Sequence, residues 1–135
     1  MRAVLDPNIL IAALLSPTGA PAQLFGRWLA GVFELVVSEA LLAELERALA
    51  YPKLRRRVSA EEAAELVDLL RDGAILAPDR PNPPRRSPDP GDDYLLALAE
   101  NERAVLVSGD QHLLALADQF PIHPARALLD HLATD

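Results

Sequence analysis

Two aspartates first suggest chemistry in this chain. Asp6 directly follows the apolar segment Arg2 to Leu5, and Asp110 follows Ala104 to Val107 with only Ser108 and Gly109 between. If both segments are strands of one parallel sheet, both carboxylates stand at the same edge, the carboxyl edge, where sites form in such sheets. Each would also serve as an N-cap for a following helix, because a carboxylate there accepts backbone N–H bonds. Capping explains either residue alone; the pair at one edge is harder to dismiss.

Two further acids lie on expected helices. Asp92 precedes Leu95, Leu96 and Ala99 by three, four and seven residues, which puts it on the same helical face as that apolar stripe. Asp93 lies roughly a quarter-turn from the stripe, at ~100° per residue. The competing reading of Asp92 is a favourable charge at the helix dipole's positive end. On the helix that Ser38 opens, Glu44 and Glu46 flank the apolar arc Leu41, Leu42, Leu45, Ala48 and Leu49, and spacing does not choose between them. Carboxylates converging at a strand edge repel one another. A hard cation with oxygen ligands relieves this, and Mg²⁺ or Mn²⁺ suits such a set. The cation would lower the pKa of a bound water and neutralise charge on a phosphate under attack, which is phosphodiester hydrolysis without a covalent intermediate.

The elements that must place these residues alternate along the chain. Arg2 to Leu5 reads as a buried strand, Asn8 to Leu15 and Pro21 to Ala30 as helices, and Val32 to Val37 as a strand. Ser38 caps a helix running to about Tyr51, ahead of Pro52. Ser59 and Glu62 have capping-box spacing before a helix carrying Leu66, Leu69 and Leu70. Ala74 to Ala77 reads as a strand. Residues 78–91 hold six prolines and no periodicity, a long loop of the kind that is functional or disordered. A helix from Asp92 to about Glu102, the strand Ala104 to Val107 and a helix from the Ser108-Gly109-Asp110 turn through about Ala117 follow. Ile122 and His123 suit a last strand, and Pro124 the first turn of a final helix. The pattern predicts a single α/β domain over 1–135, with a parallel central sheet covered by helices on both faces.

Composition bounds the function. The chain has 135 residues, half of them hydrophobic, which is enough for one packed core. It has no Cys, so thiolate zinc sites and disulfides are excluded. Its three His residues, His112, His123 and His131, lack the spacing of an all-imidazole site. A net charge of −7 argues against a protein that coats nucleic acid by bulk charge. The positive charge is local instead: nine of thirteen Lys and Arg residues fall between Arg47 and Arg86. Lys53, Arg55, Arg56, Arg57, Arg85 and Arg86 are candidates for phosphate contacts with a nucleic acid, against the alternative of a solvated surface. The apolar run Ile9 to Leu15 is too short to span a bilayer and follows residues ill suited to a signal peptide, so a cytoplasmic protein is expected. The helices between Pro21 and Tyr51 offer more apolar positions than one covered face needs, which points to a homodimer.

The motifs together resemble those of PIN-domain nucleases. Val4-Leu5-Asp6-Pro7-Asn8 is similar to the family's opening strand and first acidic position, with Pro7 where Thr or Ser is usual. Ser38 to Leu45 resembles the second acidic motif, and the resemblance selects Glu44 over Glu46. Asp92 with Ala99 is similar to the third motif, and Ser108-Gly109-Asp110 to the fourth. The nearest likeness is to VapC-like toxins of toxin–antitoxin systems. The resemblance implies a metal-dependent ribonuclease with Asp6, Glu44, Asp92 and Asp110 as catalytic metal ligands, and Asn8, Asp93 and Ser108 as residues supporting them. It also implies a sheet of about five parallel strands, frequent homodimers and an antitoxin partner. Two other readings stay open. A phosphohydrolase that phosphorylates Asp6 would want an acid where Asn8 stands and a Lys beside it, and Lys53 is the only Lys. A non-catalytic RNA- or protein-binding module is the other.

Overall fold

The computed structural model describes residues 1–133. Its elements run β1 (Arg2–Leu5), α1 (Pro7–Leu15), α2 (Ala20–Leu29), β2 (Glu34–Val37), α3 (Glu39–Leu49), α4 (Pro52–Arg55), α5 (Ala60–Gly73), β3 (Ile75–Leu76), a 3-10 turn (Pro90–Asp92), α6 (Asp93–Asn101), β4 (Val105–Val107), α7 (Gln111–Leu114), β5 (Ile122–His123) and α8 (Ala125–Ala133). The strands form one five-stranded sheet in the order β3-β2-β1-β4-β5. Every pairing is parallel, with Ala3 opposite Leu35 on one side and Val105 on the other.

Successive strand residues point to opposite faces. Ala3, Val4 and Leu5 are all buried, as are Leu35, Val36 and Val37, so both faces of the sheet are covered. Their apolar runs are what a doubly covered strand needs. On the helix side, α1 packs on α2 and α3, α2 on α8, α3 on α5, and α6 on β1 and β4. Trp28 of α2 meets Phe25 edge-on, ring centroids 5.3 Å apart. Gly73 ends α5 against Trp28, and a Cβ there would stand 3.2 Å from the indole, so a side chain would push the ring out of place.

Helix starts follow local chemistry. The expected capping box forms in full: Ser59 Oγ accepts from Glu62 N, and Glu62 Oε1 accepts from Ser59 N, each at 3.1 Å. Ser38 Oγ caps α3 by accepting from Leu41 N. The ends depart more. After Leu49 the chain does not simply break at Pro52; the proline takes the first turn of the separate short helix α4, where its missing N–H costs nothing. The strand expected from Val32 starts at Glu34, because Gly31, with φ at 82°, and an exposed Val32 belong to the turn out of α2. Helix α7 stops at Leu114, short of Ala117.

The Pro-rich stretch is tethered at both ends. Asp79 Oδ2 accepts from Ala40 N at 2.8 Å, at the start of α3. Asp93 Oδ1 accepts from Arg86 N and Ser87 N at 3.0 and 2.7 Å, at the start of α6. The loop therefore bridges the two helices that carry Glu44 and Asp92.

Candidate active site

The sheet's order reverses at β1: the chain moves outward through β2 and β3 on one side and through β4 and β5 on the other. The crevice at the carboxyl ends of β1 and β4 is the place where such sheets bind ligands. Asp6 N donates to Val107 O at 2.9 Å and fixes the two strand ends together. The Asp6 carboxylate is then held on both oxygens. Oδ1 accepts from Asn8 N at 3.0 Å, and Oδ2 accepts from the Ser108 hydroxyl at 2.8 Å. Ser108 Oγ in turn accepts from Asp110 N at 3.0 Å, and Asp110 Oδ1 accepts from His112 N at 2.8 Å. One fully buried serine thus relays between the backbone of one acid and the carboxylate of the other. Both aspartates do cap their helices, and they still share one edge. Burial raises the Asp6 pKa; the bonds from Asn8 and Ser108 oppose this, and the charge on Asp110 adds to it.

Asp92 ends the 3-10 turn that precedes α6. Its Oδ2 is buried and has no hydrogen-bond partner. Its pKa is pushed up to about 6, first by burial and then by the charges of Asp89, Asp6, Asp110 and Glu44. The last three are the other acids singled out from the sequence, so all four share one electrostatic environment. Glu44 lies half-buried on α3, and Oε2 accepts a hydrogen bond from the Tyr94 hydroxyl of α6. Glu46 is exposed on the other flank, beside a cavity of about 420 Å³ shared with Arg55 and Asp68. Burial, then the bond and charge of Glu44, hold the Tyr94 hydroxyl protonated well above its usual range.

The neighbour of Asp92 differs from expectation. Asp93 is 2% exposed and Asp92 is only half-buried. Every residue from Leu95 to Ala99 is buried, so α6 is covered nearly all round and leaving its apolar stripe does not lead to water. Asp93 spends its Oδ1 on the loop amides, and Oδ2 stands 3.6 Å from Arg85 Nε. Asn8 supports Asp6 through its backbone N–H alone; its side chain is exposed.

The basic candidates fall into two groups. Arg86 is committed internally: Nη2 pairs with Glu100 at 3.0 Å, and the guanidinium lies 5.2 Å from the Phe120 ring centroid. Arg85 faces Asp93. Lys53, Arg55, Arg56 and Arg57 are exposed on and after α4, and Arg57 Nη2 donates to Leu15 O. Helices α1 and α3 both start at the carboxyl edge, and ~9–11 residues at ~1.5 Å each carry this run to their far ends. The structure does not bring it to the carboxylates.

Sequence reasoning missed Asp89 and Tyr94. Asp89 had a signal in Asp89-Pro90-Gly91, where its Oδ1 accepts from Gly91 N at 2.9 Å as an Asx turn. Tyr94 had a weaker one, a lone tyrosine in an apolar helix, whose hydroxyl needs a partner when buried.

Among the described residues, no three Asp, Glu, His or Cys side chains stand gathered as an ion-holding group. Their chemistry fits a hard divalent cation all the same. All four donors are carboxylates, Asp92 Oδ2 lacks a partner, and burial followed by repulsion from neighbouring acids raises at Asp92 a proton affinity that a cation would replace.

Comparison with known proteins agrees with this architecture. The chain is 25% identical over 120 residues to an uncharacterized protein of Methanocaldococcus jannaschii, MJ1680, covering 88% of this chain and 77% of that one. Its fold is similar to PAE2754 from Pyrobaculum aerophilum, with a TM-score of 0.67 at 19% identity over 100% and 91% of the two chains. It is also similar to VapBC2 from Rickettsia felis, solved bound to a DNA fragment from their promoter, with a TM-score of 0.60 at 16% identity over 92% and 98%. No single helix is long and apolar enough to cross a membrane among the described residues. The PIN domain family matches residues 2–112, from β1 to just past Asp110, and the chain belongs to that family.

Proposed function

We propose that this chain is an endoribonuclease that depends on a divalent cation, Mg²⁺ or Mn²⁺, held by Asp6, Glu44, Asp92 and Asp110. The observation that carries the reading is that Asp6, Asp110 and Glu44 all act electrostatically on Asp92, whose Oδ2 is buried and unpartnered. When bound, the cation supplies Lewis-acid chemistry, neutralising phosphate charge and acidifying a water for attack. The chain supplies position. Ser108 and the Asn8 amide fix the plane of the Asp6 carboxylate, and Tyr94 fixes one oxygen of Glu44. Asp93 holds the loop that leads into Asp92.

Hydrolysis is favoured over a phosphorylated aspartate. Both Asp6 oxygens already accept hydrogen bonds, Asn8 turns its side chain to solvent, and Lys53 lies at the far end of α3. The likeness to VapBC2 supports a narrower form of the proposal, in which the chain is the toxin of a toxin–antitoxin pair. The exposed Leu29, Val32 and Tyr51 support a homodimer, which light scattering would report as twice 14.6 kDa. The run Lys53, Arg55, Arg56 and Arg57 is proposed to hold RNA beyond the cut site. Its removal would then flatten the salt dependence of binding.

Single-stranded RNA, Mn²⁺ and a chelator control test the central claim. Asp92→Asn keeps the shape and removes the charge, so cleavage should fall at least ~10²-fold with the fold intact by circular dichroism. Cleavage by Asp92→Asn at the parent rate would overturn the site as described.

A further inference from the structure

We propose that Tyr94 is a positioning residue that keeps Glu44 inside the cation site; the inference rests on reading the four carboxylates as that site. Its hydroxyl reaches from α6 to α3 and donates to Glu44 Oε2, between residues 50 apart in the chain. The ring packs against the core, so the donor stands at a fixed place. A glutamate on the flank of α3 is otherwise mobile: it has three rotatable side-chain bonds, is half-exposed, and lies within electrostatic reach of the Asp92 carboxylate, which repels it. Left alone, it would swing toward water. A charge-assisted bond from a rigid phenol holds it back.

The bond also selects which oxygen is free. Oε2 is engaged by Tyr94, while Oε1 accepts no hydrogen bond among the described residues and is the atom available to a cation. This is the relation in which an outer partner orients a ligand without touching the metal. The helices do not depend on Tyr94 to stay together. Asp79 ties the loop to α3 and Asp93 ties it to α6, so the hydroxyl is not needed to assemble the fold. Its removal should therefore release Glu44 and little else.

The alternative is that Glu44 merely satisfies a buried phenol. A double-mutant cycle on Mn²⁺ affinity separates the two, measured by calorimetry on the parent, Tyr94→Phe, Glu44→Ala and the double variant, with unfolding midpoints recorded on each. Phe keeps the ring, so packing is preserved. Tyr94→Phe should weaken Mn²⁺ binding about 10-fold, and should cost nothing further in the Glu44→Ala background. Unchanged affinity in Tyr94→Phe would overturn the role of Tyr94 while leaving the cation site standing. So would the same loss in both backgrounds, because Tyr94 would then act independently of Glu44. A parent that binds no Mn²⁺ would overturn the cation site itself, and the role of Tyr94 with it.

Discussion

The two halves of the candidate site are built differently. Asp6 and Asp110 sit at strand ends, and the bonds that orient them are local or run directly between the neighbouring strands β1 and β4. Glu44 and Asp92 sit on helices tied by contacts between distant parts of the chain: Ala40 with Asp79, the loop amides with Asp93, Glu44 with Tyr94. The strand half is fixed by the sheet, which cannot shift without breaking a ladder. The helix half is fixed by a loop and a phenol, and these can yield. On the proposed reading, a cation entering the crevice would find Asp6 and Asp110 in place and draw in Glu44 and Asp92.

The largest test of this contrast is the loop anchor. Asp93→Ala removes a buried acceptor from two amides and leaves Ser87 N buried without a partner, at a cost of about 3 kcal/mol. Asp89→Ala loses one exposed bond to Gly91 and should cost under about 1 kcal/mol. Urea unfolding of both variants decides the matter. Equal losses would mean that the loop is not held at Asp93, and the helix half would need another anchor.

Ser108→Ala probes the strand half. It deletes the donor to Asp6 Oδ2 and the acceptor for Asp110 N while leaving the ladder intact. The expected loss is about 1–2 kcal/mol, with RNA cleavage reduced but not abolished, since Asp6 Oδ1 keeps its bond to Asn8 N. Full activity and full stability in Ser108→Ala would show that the strand half is rigid without its serine.

The same contrast explains what could be read from the sequence. All five strands and the starts of most helices were legible, because buried parallel strands announce themselves as short apolar runs and caps sit within three residues of what they bind. The placement of Asp6, Ser108 and Asp110 at strand ends was legible for the same reason. The roles within Asp92-Asp93-Tyr94 were not. Periodicity on an isolated helix placed Asp92 inward and Asp93 aside, but α6 is buried nearly all round and the preceding 3-10 turn sets the direction of entry. The Pro-rich stretch had no periodicity to read, and its two anchors come from Asp79 and Asp93, which only the folded chain brings to their partners. Glu44 was separable from Glu46 only by family likeness; in the structure the separation is physical, since only Glu44 meets Tyr94.

The smallest expected effect follows from the raised pKa of Asp92. Its folded pKa of about 6 stands above the 3.8 of an unperturbed carboxyl, from burial and from Asp89, Asp6, Asp110 and Glu44. The folded chain therefore holds this proton more tightly than the unfolded one, and the stability it contributes is complete below pH 3.8 and lost as pH rises through 6. Asp6 is raised too and works in the same direction, whereas Glu39, lowered by Arg71, works in the opposite one. The useful quantity is thus the difference between parent and Asp92→Asn without metal. At pH 8 the variant should be the more stable, by under about 1 kcal/mol because Asp92 is half-exposed and screened; below pH 4 the two should converge. Mn²⁺ affinity of the parent should rise with pH across the same interval, as the proton and the cation compete for one carboxylate. Parallel stability curves for parent and variant from pH 4 to 8 would mean that Asp92 bears neither the burial nor the repulsion described, and the helix half of the site would be more open than its contacts indicate.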